Sequence, residues 1–402
     1  MKIYLFTRAF PYGFEESFLA YEIDVLSKVK GLKITLIPRE ILKERRELPR
    51  NVTVDNSYAD AVALNSEKKI YPVLFNFYKI IEAVVSHGNF SLSAIRDVAS
   101  FVHYGNTVEH WATTHLKGDE LIYTYWCDVE AYGLSLYKLK RQKGMRLVSR
   151  THGFDIYEEN RPHGFIPFRK EVLTAMNRVF CISGYGVRYL KKKHDFTRAS
   201  SSYLGVLPPK NIATERDQNL IRIVTCSSLA KVKRLPLIVS SIIFLARKHQ
   251  NLTFEWVHIG GNVTDLRTSI EEKIPDNLTI DFKGQLPNSE LHHFYSRHFV
   301  NAFLNLSKSE GIPVSMMEAM SYGIPVVGTA VGGVPEIVDF SNGFLVSKNP
   351  SSEEVSSALM EVVYDESRRS EAMLTFDQKF NADNNFRQFA ESLQTINAGV
   401  NE

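Results

Sequence analysis

Two carboxylates, Glu310 and Glu318, flank the stretch Gly311-Ile312-Pro313-Val314-Ser315-Met316-Met317 near the carboxyl end of this 402-residue chain. A carboxylate accepts hydrogen bonds from neighbouring hydroxyls, so a pair at this spacing can hold two polyols. The backbone between them supplies a third element. Proline suits the first helical position, where no N–H is needed. The amides of Gly311, Ile312 and Val314 around Pro313 then point out of a positive helix terminus that favours phosphate. With residues 313 to 321 helical, Glu318 sits roughly 7 to 8 Å beyond Pro313, about the step from a diphosphate to a ribose. Glu310, still in the loop, faces a sugar on the other side. The chemistry that fits is a grip on a sugar nucleotide from both ends.

Other candidates sit at strand ends. Thr151-His152-Gly153-Phe154-Asp155 follows the expected strand Arg146–Arg150 and places an imidazole beside a carboxylate, with a glycine that allows close approach. The turn Phe10–Phe18 after the first strand carries Gly13, the flexible residue of a strand-to-helix connection. It lacks the G-x-G-x-x-G pattern of a dinucleotide fold.

The elements that must position these residues alternate strand and helix. Expected strands are Lys2–Thr7, Lys33–Ile37, Leu121–Tyr125, Arg146–Arg150, Arg178–Ile182 and Ser201–Tyr203, then Ile221–Cys226, Thr253–Ile259, Leu278–Phe282, Ala302–Leu306, Pro325–Gly328 and Gly343–Val346. Pro208-Pro209 and the polar run to Gln218 read as a linker between the two series. Strands separated by helices of this kind form parallel sheets, so the expected fold class is α/β, with two doubly wound, Rossmann-like domains facing a cleft and ligands at the carboxyl ends of the strands. The expected domains are 1–207 and 208–381. Ser351-Ser352-Glu353-Glu354 reads as a capping-box start for a helix to about Tyr364.

The run from Asn305 to Gly328, followed by Gly332-Gly333-Val334-Pro335-Glu336, closely resembles the signature of glycosyltransferase family 4, retaining transferases of the GT-B fold. The resemblance is strong from about Ile221 to Val346. It implies that Glu310 lies near the donor sugar as a catalytic residue and that Glu318 binds the nucleotide ribose. It assigns Lys233 to the donor diphosphate and puts Ser228 where an arginine is usual, so Arg234 or Lys231 is left to replace that charge. Leu286 borders the base through its main chain, and Gly13 takes the place of a Gly-Gly that faces the cleft. The Thr151–Glu159 segment resembles bacterial polysaccharide transferases in which the histidine, here His152, lies near the reaction centre. In the family the last helix, here about 382–402, packs back on the first domain. No cofactor or metal is expected, because cations and a helix terminus stabilise a departing diphosphate.

Composition bounds the rest. With 44% hydrophobic and 23% charged residues the chain reads as folded and soluble. At 402 residues the chain suits two cores better than one. The first strand, stopped by Arg8 and Pro11, reads as a buried strand rather than a signal peptide. Cys127, Cys181 and Cys226 are odd in number and widely spaced, which favours reduced thiols in a cytoplasmic protein. Residues 1–207 hold 30 Lys and Arg against 22 Asp and Glu, while the remainder holds 18 against 23. Basic clusters at Lys43–Arg46, Lys138–Lys143 and Lys191–His194 are either solvated helix faces or a surface for anionic lipid. No nucleic-acid motif accompanies them. The expected function is therefore retaining transfer of a sugar from a nucleoside diphosphate sugar to a hydroxyl on a glycan, lipid-linked or part of a growing cell-surface polysaccharide, with peripheral contact to an anionic membrane. Two alternatives are a non-catalytic sugar-nucleotide or glycan-binding protein, and a nucleotide-dependent oxidoreductase or epimerase.

Overall fold

The computed structural model describes residues 1–13, 16, 18–66, 77–141, 144–262, 264 and 273–399. Phe14, Glu15 and Ser17 of the expected turn, Lys143 of the second basic cluster and residues 400–402 of the last expected segment lie outside them. The chain divides into two units, one of Met1–Tyr203 with Phe386–Glu402 and one of Leu204–Asn385.

The first unit holds seven parallel strands, β1 (Lys2–Thr7), β2 (Lys33–Pro38), β3 (Val52–Val54), β4 (Leu121–Thr124), β5 (Arg146–Thr151), β6 (Arg178–Cys181) and β7 (Ala199–Ser201), in the order β3-β2-β1-β4-β5-β6-β7. Parallel sheets covered on both faces need strands that are apolar on both faces. Accordingly Leu121–Thr124 is buried throughout. In register, Ile3 of β1 lies between Ile34 of β2 and Leu121 of β4. One apolar layer, with Trp111, Leu134 and Tyr137 from the helices Leu92–His115 and Val129–Arg141, covers one face. The other face is closed by Leu19, Ile23 and Leu26 of the helix Leu19–Ser27, and by Phe389, Ala390 and Leu393 of the last helix, Ala382–Asn397.

The second unit has six parallel strands, β8 (Leu220–Cys226), β9 (Thr253–Ile259), β10 (Leu278–Gly284), β11 (Ala302–Asn305), β12 (Val326–Thr329) and β13 (Gly343–Val346), in the order β10-β9-β8-β11-β12-β13. Helix Leu235–Lys248 lays Ile238, Ile242 and Leu245 on the sheet at helical spacing, beside Val355, Leu359 and Val362 of helix Ser352–Val363. Each such fully buried aliphatic side chain contributes roughly 1.5–3 kcal/mol.

The strand order reverses direction at β8 and β11, so the loops after these two neighbours start side by side at the carboxyl edge. Three expectations shift. The strand expected at Ser201–Tyr203 is β7, at Ala199–Ser201, and β3 was not anticipated. At Ser351 the hydroxyl caps the amide of Glu354 at 3.1 Å, but the Glu354 carboxylate turns to Ser347 instead of closing a reciprocal box. Among the described residues no helix is long and apolar enough to cross a membrane.

Candidate active site

In the second unit β8 ends at Cys226 and the chain makes a single 3-10 turn over Lys231–Lys233. Lys308, in the loop after β11, donates its amide to the Val232 carbonyl at 2.8 Å. Arg234 takes a left-handed backbone conformation, with φ of 52°. Its guanidinium donates to the carbonyls of Leu306, of Ser307 at 3.0 Å and of Lys348 at 2.9 Å. Arg234, expected as a donor-binding cation, is thus a brace between the β8, β11 and β13 loops, its charge directed at backbone carbonyls. With the two loops fastened, the Nζ of Lys233 lies 2.5 Å from Oε1 of Glu310. The pair is partly shielded, the Glu310 side chain being 11% exposed.

The loop that carries Glu310 is shaped by close approach of Gly332 and Gly333. A Cβ on Gly332 would stand 1.9 Å from the Glu310 carbonyl oxygen, and one on Gly333 would stand 2.3 Å from that of Gly311. The Gly333 amide donates to the Gly311 carbonyl at 2.9 Å. Side chains at either glycine would push Glu310 and Gly311 aside. The helix begins at Val314 and runs to Ser321, with Pro313 extended at φ −68° and ψ 125° ahead of it. Pro313 is therefore the cap and not the first helical residue, the helix starting one position later than expected, and its carbonyl accepts from Met316 at 3.1 Å. The leading amides, those of Val314 and Ser315, have no acceptor within the helix, and the dipole there favours an anion. Ile312 and Pro313 are buried beneath this loop, while Gly311, Val314 and Ser315 remain half-exposed.

Glu318, one turn into the same helix, is 5% exposed. Burial raises its carboxyl pKa to about 7, against a hydrogen bond from Asn288 that lowers it. Asn288 opens the helix after β10, two residues past the half-exposed Leu286. Sequence reasoning selected Leu286 and missed Asn288, whose relation to Glu318 is a long-range contact. Lys233, Glu310, the Gly311–Val314 backbone, Leu286 and Glu318 all belong to the second unit.

The first unit holds His152 and Gly13. His152 follows β5, its ring centre 4.3 Å from that of Trp126 and 4.6 Å from that of Tyr125. Both ring nitrogens are shielded from solvent and have no hydrogen-bond partner among the described residues. Asp155 Oδ2 stands 3.6 Å from Nδ1, beyond hydrogen-bond reach. Asp155 itself is fully buried and accepts the amides of His152 at 2.7 Å, Gly153 at 3.2 Å and Cys127 at 3.1 Å. Burial opposes the charged form, yet His152 and these amides hold the Asp155 carboxyl below its ordinary value. Asp155 thereby fixes the turn that presents the imidazole. Gly13, expected to face the donor, is instead locked in its own loop. Its N–H donates to the Glu44 carbonyl at 2.8 Å, and its carbonyl accepts from Arg46 Nε at 3.2 Å. The φ of +67° and the contact with Leu42 explain why a glycine stands there. Among the described residues of this turn Glu16 reaches furthest, accepting the amides of Ala9 and Phe10 at 2.8 Å and the Trp126 indole at 2.6 Å.

Of the basic clusters, several members are engaged internally. Arg46 holds Gly13, Lys138 binds the Ala175 carbonyl at 2.8 Å, and Lys193 pairs with Glu158 at 2.9 Å.

The family model described as Glycosyl transferases group 1 matches residues 210–374, nearly the whole second unit. The amylovoran biosynthesis glycosyltransferase AmsK of Erwinia amylovora is 24% identical over 262 residues, 62% of this chain and 62% of that protein. The chain thus spans less than two thirds of that relative's length. Among solved structures, the lipopolysaccharide outer core galactosyltransferase WaaB superposes with a TM-score of 0.66 at 15% identity, covering 98% of this chain and 99% of that one. HepE of Anabaena, solved with UDP and glucose, gives a TM-score of 0.63 at 16% identity, covering 98% and 100%. Likeness over the whole length at this level shows the fold, which is GT-B. Residues 210–374, which hold the glutamate pair and its Gly332-Gly333 support, are thus similar to the glycosyl transferases group 1 family.

Proposed function

We propose that this protein is a retaining glycosyltransferase that moves a sugar from a nucleoside diphosphate sugar to a hydroxyl of a glycan acceptor. The observation that carries this reading is the Lys233–Glu310 pair held beside the start of the helix Val314–Ser321 by Gly332 and Gly333. Lys233 and the leading amides suit a diphosphate, Glu318 with Asn288 suits a ribose diol, and Glu310 suits the hydroxyls of the transferred sugar. HepE, of the same fold, binds UDP and glucose, which supports a nucleotide sugar as donor.

In this reading the bond from the anomeric carbon to the diphosphate breaks while the acceptor oxygen bonds to the same face. The acceptor proton passes to the departing phosphate oxygen, leaving a nucleoside diphosphate. Protein groups act by positioning and by stabilising the charge that develops on the leaving group. Lys233 and the helix terminus take that charge without a metal ion. His152 is the first unit's catalytic group, its imidazole presented by the Asp155 turn.

The acceptor is proposed to be a lipid-linked or growing cell-surface polysaccharide, in keeping with the amylovoran biosynthesis role named for AmsK. Exposed apolar side chains at Tyr78, Val85, Phe90 and Leu92 on the first unit support peripheral contact with the anionic inner face of a membrane. Sedimentation with anionic and neutral liposomes tests that contact, and equal binding to both removes it.

The central experiment is a thermal-shift screen of UDP, GDP and ADP sugars, followed by turnover of the one that stabilises, in the presence of EDTA. Product with retained anomeric configuration is the expected outcome. Nucleotide binding with no turnover on any acceptor or on water would favour the non-catalytic alternative. Stabilisation by NAD and by no sugar nucleotide would overturn the assignment.

A further inference from the structure

A cavity of about 520 Å³ opens in the first unit between the helix Leu92–His115 and the Arg161–Pro167 segment. A second, of about 200 Å³, shares Arg39 and Asp128 with it and reaches Trp126 and Phe154. The two adjoin at those shared side chains. Trp126, which lines the second cavity, has its ring centre 4.3 Å from that of His152.

The lining mixes apolar and charged side chains, and its charges are already matched. Arg39 contacts Glu130 at 3.2 Å and Glu40 at 3.4 Å, Arg161 pairs with Asp128, and His163 Nε2 lies 2.9 Å from Asp97. Aromatic faces interleave with these pairs. The Arg161 guanidinium lies over Phe154 at 4.8 Å and that of Arg39 over Tyr104 at 5.9 Å. The Nε of Arg161 is shielded from solvent without a hydrogen-bond partner among the described residues.

This combination discriminates among ligands. A phosphate or uronate would need cations that are not already neutralised, and here it would meet the carboxylates Glu40, Asp97 and Asp128 at close range. An acyl chain would leave those paired charges desolvated without compensation. A polyol both donates and accepts, so it can bridge a carboxylate and a guanidinium at once, and the C–H face of a pyranose packs on an aromatic ring. The volume falls in the range of small-molecule sites.

We infer that the adjoining cavities lined by Tyr104, Arg161 and Trp126 bind uncharged sugar residues of the acceptor, so that the chain extends a neutral glycan rather than a bare lipid phosphate. The inference rests on the proposed transferase activity for the word acceptor, but the binding itself is tested without it.

The full-length chain, fluorescently labelled, is applied to a glycan array carrying neutral hexose and N-acetylhexosamine oligosaccharides, uronate-containing ones and phosphorylated ones. Retention on neutral glycans is expected, with Tyr104→Ala and Arg161→Ala each lowering the signal at least about tenfold, as the loss of a stacking face or a charged hydrogen bond implies. Circular dichroism melts check that the variants fold. Should either fail, Asp97→Asn, at an exposed position of the rim, should still lower the signal about threefold. Retention confined to charged glycans, no retention at all, or retention indifferent to the substitutions overturns the inference. Sugar-nucleotide binding, read separately by thermal shift, reports on the second unit, so failure of the donor assignment leaves a different trace.

Discussion

The Nζ of Lys233 lies 2.5 Å from Oε1 of Glu310, so the proposed phosphate cation and the proposed sugar carboxylate neutralise one another. A diphosphate must therefore compete with Glu310 for the lysine. The two residues should respond to substitution with opposite sign in binding. Lys233→Ala removes a charged contact and is expected to weaken nucleoside diphosphate affinity about 10- to 100-fold. Glu310→Gln releases the lysine and is expected to tighten the same ligand a few-fold, while turnover falls about 10²- to 10³-fold, the scale of a lost transition-state contact. Calorimetry with the nucleoside diphosphate and initial rates separate the two. Equal weakening of binding by both substitutions would mean that the pair is a structural brace.

Gly332 and Gly333 make a sharper claim about shape. Their hydrogens face the carbonyl oxygens of Glu310 and Gly311 at distances that no Cβ tolerates. Gly333→Ala should displace the Glu310 loop and lower turnover more than tenfold, whereas Ser341→Ala, at the exposed turn before β13, should leave it unchanged. The melting temperature of Gly333→Ala should fall by only a few degrees, because the loop lies outside the apolar layer built on Ile223 and Leu304. Wild-type turnover in Gly333→Ala would mean that Glu310 does not depend on this contact.

How much of this was legible in the sequence follows from range. The strands were readable because buried parallel strands are short apolar runs, and the glutamate pair because its spacing and its proline lie within one local segment. Val52-Thr53-Val54 was missed since three residues among charged neighbours carry too little period to register. Arg234 looked like a ligand because a cation beside Lys233 is local information, whereas its carbonyl partners at Leu306, Ser307 and Lys348 are more than 70 residues away. Asn288 and Glu16 failed for the same reason. The partner of Asn288 is Glu318, 30 positions on, and Glu16 reaches Trp126, 110 positions on, in the loop after the neighbouring strand β4. Gly13 carried a local signal of backbone freedom, but only the Arg46 and Glu44 contacts reveal that this freedom serves the loop itself.

The buried Glu318 carboxyl makes a prediction in pH. Burial raises its pKa from 4.5 to about 7. A ribose diol donates to the charged form, so nucleoside affinity should rise as pH increases from 6 to 8, and Glu318→Gln should abolish that slope. Stability runs the other way. The folded state holds the proton more tightly than the unfolded one, so this contribution is full below pH 4.5 and is lost as pH rises through 7. At pH 8 Glu318→Gln should therefore raise the stability of the second unit, by up to about 3 kcal/mol. Nucleoside titrations and urea melts at pH 6 and 8 check both signs. A variant that keeps the wild-type slope would place the titration elsewhere.

In the first unit, Arg150 and Glu22 form a fully buried pair at 3.4 Å, joined through the Tyr123 hydroxyl, which Arg150 Nε reaches at 2.8 Å and which donates to Glu22 at 2.9 Å. The guanidinium lies 4.3 Å from the ring centre of Phe389 in the last helix, so the pair also helps seat that helix on the sheet. Desolvating two charges offsets most of their attraction, and the net contribution of such a pair is small. Removing one member is costly because the other is left charged and buried. Arg150→Ala is expected to lower the stability of the first unit by about 3 to 5 kcal/mol, whereas the double substitution Arg150→Met with Glu22→Leu should recover most of that loss. The double-mutant cycle, followed by urea unfolding, gives a coupling energy of the same order. If the double variant is as unstable as Arg150→Ala, the loss comes from the Phe389 and Ser202 contacts of the arginine, and the last helix rather than the ion pair is what Arg150 supports.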